Sequence, residues 1–112
     1  MNYKNFNDLP SIPLGEVKLT PFVGKDLMMV KAFVPKGSVV PMHHHVYEQM
    51  TYVLSGSLLV KTEEKEVRLN AGEVISFLSN VPHEVLALED SEVIDVFNPI
   101  REDFMEQLKG KN

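Results

Sequence analysis

The stretch that decides the fold is GSVVPMHHHVYEQ, residues 37–49. It is typical of extended chain, and successive side chains of a strand point to opposite faces. The spacing therefore puts His43, His45 and Gln49 on one face. His44 should point away from them and remain a surface residue. Imidazole nitrogen and amide oxygen are both metal-ligand types, so the stretch predicts part of a metal site.

A further histidine, His83, closes the segment NVPH, residues 80–83. A lone histidine on a strand is more often a surface residue or a hydrogen-bonded core residue. Three imidazoles that converge inside a barrel are different, because each unmet buried polar group costs about 1–3 kcal/mol. One ion satisfies all three, and three histidines with one oxygen donor nearly surround a divalent cation.

Composition narrows the class of protein. At 112 residues the chain is predicted to form one domain, residues 1–112. Eleven Lys and Arg against sixteen Asp and Glu give a net charge of −5, which argues against a nucleic-acid partner. No apolar run approaches the roughly 20 residues that span a bilayer, so no membrane partner is expected. The chain has no cysteine, and a cytoplasmic location is the default expectation.

Short apolar or alternating runs, separated by turn signals, predict a succession of strands. They lie at 16–23, 27–34, 49–54, 57–61, 66–69, 74–77, 84–88 and 92–98. Their close spacing, with no helix between them, favours an all-β antiparallel sandwich or barrel with a core at about 14–98. Helical spacing occurs only in the tail, where a short C-terminal helix is predicted at about 101–109.

Two of these strands are apolar on both faces, at 27–30 and 93–97. A barrel has a single interior, so the second apolar surface indicates either a partner sheet or a subunit interface. We therefore expect a homodimer. The alternative is a sandwich that buries both faces of its central strands.

The motifs resemble those of the cupins. Gly37, His43, His45, Gln49 and Gly56 follow the spacing of the first cupin motif, with Gln where most members have Glu. Residues 70–83, from NAGE to PH, resemble the second motif, although its late asparagine is absent. The resemblance implies a small jelly-roll barrel, or double-stranded β-helix, that is usually dimeric. Fold alone does not give function, because cupins carry many activities.

The resemblance also implies a metal inside the barrel. His43, His45, Gln49 and His83 would bind one divalent transition metal ion. Gln49 leaves the ligand set neutral, so the ion keeps its full positive charge and is a stronger Lewis acid toward an anion. Calcium and magnesium prefer all-oxygen shells. Mn, Fe, Ni, Cu and Zn all remain open.

The C-terminal segment, IDVFNPIREDF at 94–104, carries a second constellation. Asp95 and Phe97 share a strand face, and Asp is a poor strand residue among Val, Ile and Phe. Asp95 could instead accept backbone N–H groups at a barrel rim, and Arg101 could be a surface residue at a helix start. The ending D-x-F-x-P-x-R-x-D-F is similar to that of small cupins of pectin and alginate breakdown, the KdgF type.

That resemblance implies an enzyme that opens 4,5-unsaturated uronate monosaccharides to the linear keto form. Asp95 would be the acid/base residue, Phe97 would pack against the sugar and Arg101 would bind the substrate, a small anionic sugar or sugar acid. Arg101 offers the planar donor fork that suits a carboxylate. Two alternatives stay open: a metal-dependent cupin dioxygenase, and a cupin that binds a sugar acid without chemistry.

Overall fold

The computed structural model describes residues 1–110, which form ten strands and one short α-helix after a 3-10 turn at Phe6–Asp8. No helix in this range is long and apolar enough to cross a membrane. The elements are β1 Ile12–Leu14, β2 Val17–Val23, β3 Met28–Val34, β4 Val39–His43, β5 Glu48–Ser55, β6 Ser57–Thr62, β7 Glu66–Asn70, β8 Val74–Phe77, β9 His83–Ala87, β10 Ser91–Asn98 and α1 Glu102–Leu108.

The strands form two antiparallel sheets. One has six strands in the order β1-β2-β3-β10-β5-β8, and the other has four in the order β4-β9-β6-β7. The chain changes sheet six times: at each step from β3 to β6, and again at each step from β7 to β10. These crossings give the jelly-roll arrangement, and the predicted all-β fold with a short C-terminal helix is confirmed.

The core lies between the inner faces of the two sheets. In β3 the alternate residues Met28 and Val30 are fully buried, whereas Met29 and Phe33 are exposed. Burial of each such aliphatic side chain contributes about 1.5–3 kcal/mol, before the chain entropy that opposes it. The strands at 27–30 and 93–97 therefore bury one apolar face in the barrel and turn the other outward.

Gly56 forms the tight corner between β5 and β6. Its φ of +91° lies in the left-handed region, which disfavours other residues. A Cβ atom there would also collide with Ser91 Oγ and with the carbonyl oxygen of Asp90. The same Ser91 Oγ accepts a hydrogen bond from the Ser57 backbone N–H at 3.0 Å. Close packing of two chain segments therefore requires glycine at this corner.

The expectation that residues 37–49 form one extended strand is wrong. β4 ends at His43 and β5 begins at Glu48, with no regular structure at 44–47. Pro41 lies in β4, an edge strand that tolerates a residue without an N–H donor, and pairing with β9 is irregular between Val40 and His43. The chain leaves one sheet here and enters the other.

The predicted boundaries need smaller corrections. The sheet begins at Ile12 in β1, before the predicted core start at 14. The helix spans Glu102–Leu108, within the predicted 101–109. β1 and β4 were absent from the predicted strands, because each is short and contains a proline.

Candidate metal centre and adjoining cavity

Three histidines meet where the chain passes between the sheets. His43 ends β4 and His83 begins β9, and the two are paired directly across the four-stranded sheet. His45 lies in the connection to β5. One ring nitrogen from each residue lies within 4.8 Å of the other two. The convergence predicted for these three residues is present, although it comes from the sheet crossing and not from a single strand.

Each ring is oriented by a backbone carbonyl two residues away. Nδ1 of each histidine lies at hydrogen-bond distance from such an oxygen: His43 from Pro41 (2.8 Å), His45 from Tyr47 (3.0 Å) and His83 from Val81 (2.9 Å). A carbonyl oxygen can only accept, so Nδ1 must carry the hydrogen in all three. This fixes the tautomer and leaves Nε2 of each ring as the potential ligand atom.

Gln49 adds an oxygen to the cluster. Its side chain is buried on β5, and Oε1 lies 3.1 Å from Nε2 of His45. Its amide nitrogen donates to Thr51 Oγ1 at 3.0 Å and to Asp95 Oδ1 at 3.4 Å. Because both of these contacts need an N–H donor, the amide is held with its oxygen toward the histidines.

Burial holds two of the histidines, His45 and His83, in the neutral form. Burial lowers the pKa of His83 to about 4. Burial also lowers the pKa of His45, and the positive charge of Arg101 lowers it further. Near pH 7 both rings therefore present a lone pair on Nε2, and only the neutral ring can bind a metal ion.

The donor set fits a divalent transition metal. An ion about 2.1 Å from each nitrogen would hold the nitrogens about 3–4 Å apart, and in this structure they lie within 4.8 Å of one another. Two further contacts restrain the cluster. Phe77 stacks on His83 with 4.1 Å between ring centres, and the Asn80 backbone N–H donates to the carbonyl of His45 at 2.7 Å. Three imidazoles and one amide oxygen suit Mn, Fe, Ni, Cu or Zn and do not suit an all-oxygen cation.

Asp95 lies beside this cluster on β10. Its strand partner in β5 is Thr51, whose hydroxyl donates to Asp95 Oδ1 at 2.5 Å. Burial raises the pKa of Asp95 to about 6, although hydrogen bonds from Thr51 and Gln49 and the charge of Arg101 act in the opposite direction. Asp95 is therefore not a rim residue satisfied by backbone N–H groups, and its carboxyl group titrates close to neutral pH.

Phe97 and Arg101 complete the site. Phe97 is buried, and its ring lies 6.0 Å from that of His45 and 5.9 Å from that of Phe104. The Arg101 guanidinium carbon lies 5.0 Å from the Phe97 ring centre, and only 14% of its side chain is exposed. Arg101 thus leans over the barrel instead of lying on the surface.

All of the predicted site residues except His45 line one cavity of about 80 Å³ inside the barrel, namely His43, Gln49, His83, Asp95, Phe97 and Arg101. His45 reaches the same place through its contact with Gln49. His44 is exposed, as predicted. A cavity of this volume has room for an ion and a small polar group, so a larger ligand would extend toward the partly exposed side, where Arg101 lies.

Sequence reasoning missed two residues that bond to side chains of the site: Thr51, which bonds to Asp95, and Asp103, which bonds to Arg101. Thr51 lies two positions after Gln49 on the same strand face, and this parity was the available signal. It was hidden because threonine is also a common strand residue. Asp103 stands within the motif that suggested Arg101, but its spacing alone does not indicate that the two side chains touch.

Comparison with known proteins identifies the family of this chain. A family model described as "Cupin domain" matches residues 30–97. The pectin degradation protein KdgF of Dickeya dadantii (strain 3937) is 38% identical over 82 residues, which is 71% of this chain and 74% of that protein. This chain is a KdgF-type cupin.

Two solved structures share the fold of this KdgF-type cupin along nearly its whole length. KdgF from Halomonas sp. has a TM-score of 0.85 and 28% identity, and the match covers 92% of this chain and 99% of that one. An RmlC-like cupin from Shewanella frigidimarina NCIMB 400 has a TM-score of 0.86 and 26% identity, covering 93% and 96%. The region matched by the cupin family model contains the candidate ligands and Asp95, whereas Arg101 and Asp103 follow it.

Proposed function

We propose that this cupin is a metal-dependent enzyme that opens and ketonises a 4,5-unsaturated uronate monosaccharide in pectin breakdown. One observation carries the proposal: Gln49 joins the histidine cluster to Asp95, with Oε1 at His45 and Nε2 at Asp95. A candidate Lewis-acid centre and a carboxyl group are thereby placed side by side. Similarity to a pectin degradation protein supports the substrate class.

Asp95 suits the role of acid and base. With a pKa of about 6 it is mostly ionised near pH 7 and can accept a proton, yet it is basic enough to hold that proton and return it. Its second oxygen, Oδ2, is the atom that we assign to the substrate, since Oδ1 accepts from Thr51 and Gln49. Removal of the anomeric hydroxyl proton is the step that needs this base.

The proposed reaction is an isomerisation, so no atom is gained or lost. Asp95 takes the proton of the anomeric hydroxyl, the anomeric carbon forms a C=O bond, and its bond to the ring oxygen breaks. That bond's electron pair goes to the ring oxygen and gives an enolate. Asp95 then delivers the proton to the far carbon of the double bond, and the enolate becomes a ketone.

The other residues bind and orient the sugar. Arg101 offers N–H donors to the uronate carboxylate, and its charge offsets the negative charge of the protein near the site. Phe97 provides an apolar surface for the sugar ring. A divalent transition metal ion held by His43, His45, Gln49 and His83 would stabilise the negative charge that develops on the ring oxygen.

The test is a direct assay. Metal-loaded protein is incubated with an unsaturated uronate from lyase-digested pectin or alginate, and the ultraviolet absorbance of the conjugated double bond is followed. Faster loss than without protein supports the proposal, and Asp95→Asn should lose this activity while keeping its metal content. Background decay by protein with confirmed bound metal would contradict it.

The same assay separates the alternatives. The proposed isomerase works without oxygen and with zinc, which has no redox chemistry. A requirement for oxygen and a redox-active metal would identify a dioxygenase instead. Thermal stabilisation by the sugar acid with no product would identify a cupin that only binds.

We also propose a cytoplasmic homodimer that is formed through the outer face of the six-stranded sheet. This face exposes several large apolar side chains: Met29, Phe33, Met50, Tyr52, Leu54 and Val74. Its Lys31 and Glu92 pair with each other at 3.3 Å, so the patch carries little net charge and suits a second copy of itself. Light scattering should give the dimer mass, and Tyr52→Lys should shift it to monomer, whereas Val39→Lys on the other sheet should not.

A further inference from the structure

Arg101 is held by a carboxylate from its own helix. Asp103 accepts from Arg101 Nε at 3.1 Å and from Nη2 at 2.6 Å. Burial would raise the pKa of Asp103, but the hydrogen bonds and charge of Arg101 lower it, so the carboxylate is ionised at neutral pH. This is a two-bond fork, the strongest geometry available to a guanidinium–carboxylate pair.

The hydrogen bonds to Asp103 occupy one edge of the Arg101 guanidinium and leave a second edge able to donate to another group. A guanidinium offers a side edge, formed by Nε and Nη2, and an end edge, formed by Nη1 and Nη2. Asp103 takes the side edge. Within residues 1–110 the structure shows no hydrogen bond from Nη1, so the end edge can receive a second carboxylate.

Aromatic rings fix the plane of the same group. The guanidinium carbon lies 4.0 Å from the ring centre of Phe104 and 4.9 Å from that of Tyr47. Stacking on an aromatic face restrains the tilt of a guanidinium, and a carboxylate fork restrains its rotation within the plane. Arg101 also lines the barrel cavity beside Asp95.

We propose that Asp103 is a positioning residue that holds Arg101 with its end edge presented to the carboxylate of a small acid in the cavity. The inference rests on the proposed function for the identity of that acid. Asp103 itself touches neither the histidine cluster nor the cavity. It acts through Arg101, by reducing the rotamer freedom that ligand binding would otherwise have to remove.

A role in helix stability alone predicts a different result. Glu102 and Asp103 are both exposed acidic residues in the first turn of α1, where negative charge favours the helix. Only Asp103 contacts Arg101. Glu102→Gln is therefore the matched control for Asp103→Asn, since each variant removes one charge from the same helix turn.

The experiment measures binding and turnover in metal-loaded wild type and both variants. Calorimetry with D-galacturonate reports carboxylate binding without chemistry, and the absorbance assay gives KM and kcat for the unsaturated uronate. We expect Asp103→Asn to weaken binding and raise KM about tenfold with kcat within about twofold, and Glu102→Gln to match wild type. We also expect NMR to show slow exchange of the Arg101 Nε–H proton in wild type and in Glu102→Gln, and faster exchange only in Asp103→Asn.

Three results with the variants would overturn the inference. Equal effects in both variants would mean that Asp103 only stabilises the helix. Tighter binding by Asp103→Asn would mean that Asp103 competes with the ligand for Arg101. A loss confined to kcat would remove the positioning role. If wild type binds galacturonate but does not turn over the unsaturated sugar, the proposed function fails while the galacturonate comparison still decides the role of Asp103. If wild type neither binds nor turns over either acid, both fail.

Discussion

Oε1 of Gln49 lies 3.1 Å from Nε2 of His45, with each atom oriented so that it offers a lone pair to the other. The Nδ1 hydrogen of His45 is used by the carbonyl of Tyr47, and the amide hydrogens of Gln49 are used by Thr51 and Asp95. Two lone pairs at this distance repel unless a cation or a proton lies between them. Because the pKa of His45 is lowered, a metal ion is the occupant that fits neutral pH.

Gln49→Glu should separate metal binding from turnover. A carboxylate still offers an oxygen to the ion, so metal content should stay near that of wild type. The amide donors to Thr51 and Asp95 are lost, however, and a second carboxylate beside Asp95 raises its pKa further. We expect turnover to fall by about tenfold or more. Elemental analysis and the absorbance assay measure the two effects, and Gln107→Glu on the exposed helix surface is the control.

Thr51→Val should damage the site while nearly preserving its shape. Valine removes the hydroxyl that donates to Asp95 at 2.5 Å, and the loss of a buried hydrogen bond to a carboxylate costs about 1–3 kcal/mol of stability. The pKa of Asp95 should rise, so the rising limb of the pH–rate profile should move to higher pH. Thr51→Ser keeps the hydroxyl and should resemble wild type. An unchanged profile in Thr51→Val would show that this hydrogen bond does not tune Asp95.

His83 should make the metal-free protein sensitive to acid. Its pKa is about 4 in the folded protein against 6.5 for an unperturbed histidine, so between these values the unfolded chain binds more protons. The free energy of unfolding therefore falls as pH is lowered from 6.5 to 4, by about 3 kcal/mol at most from this residue. Urea titrations of metal-free protein should show a shallower loss in His83→Gln than in wild type.

The effect of Asp95 and a control variant at His44 show whether the acid sensitivity comes from His83. Asp95 changes the free energy of unfolding in the opposite direction. Its raised pKa makes the folded protein take up a proton between about pH 4 and 6 as the pH falls, so this residue adds stability there. Since Asp95 is present in every variant, its effect cancels in the difference. His44→Gln changes an exposed histidine and should follow wild type. Equal slopes in all three proteins would contradict the prediction.

Gly56→Ala and Gly72→Ala form a matched pair for the fold. Both glycines have positive φ, at +91° and +88° respectively, so alanine costs backbone strain of about 1 kcal/mol at either site. Gly72 has open space around it, whereas a Cβ atom at Gly56 would collide with Ser91 and Asp90. Gly56→Ala should therefore lose at least about 1–2 kcal/mol more than Gly72→Ala in urea unfolding. Similar losses would mean that the corner can open to admit a methyl group.

Most of the fold was predictable because its strands carry local signals. The alternating burial of β3 and β5 follows directly from residue type at every second position. β4 was also hidden because the alternation of candidate ligands continues through residues 43–49, as it would in one straight strand. The bend at 44–47 depends on which sheet each half joins, and this is a property of tertiary pairing that a local pattern does not contain.

The site was predictable to the extent that its chemistry is unusual. Histidines at alternating positions and an aspartate among apolar strand residues stand out, so spacing indicated His43, and strand face together with the C-terminal motif indicated Asp95. Thr51 and Asp103 were not, because a threonine in a strand and an aspartate in a first helical turn are ordinary in those positions. Their roles arise from partners: Thr51 from its cross-strand pairing with Asp95, and Asp103 from the side chain of Arg101.

The candidate ligands come from both sheets and from the segment between them, in a chain without cysteine. An ion bound there would close a loop between residues 43 and 83, as a disulfide does, and would disfavour the unfolded chain. Every tenfold rise in free metal above the dissociation constant would add about 1.4 kcal/mol to stability. When metal is scarce, more of the protein would then be unfolded and open to proteolysis, and the amount of protein would itself follow the metal supply.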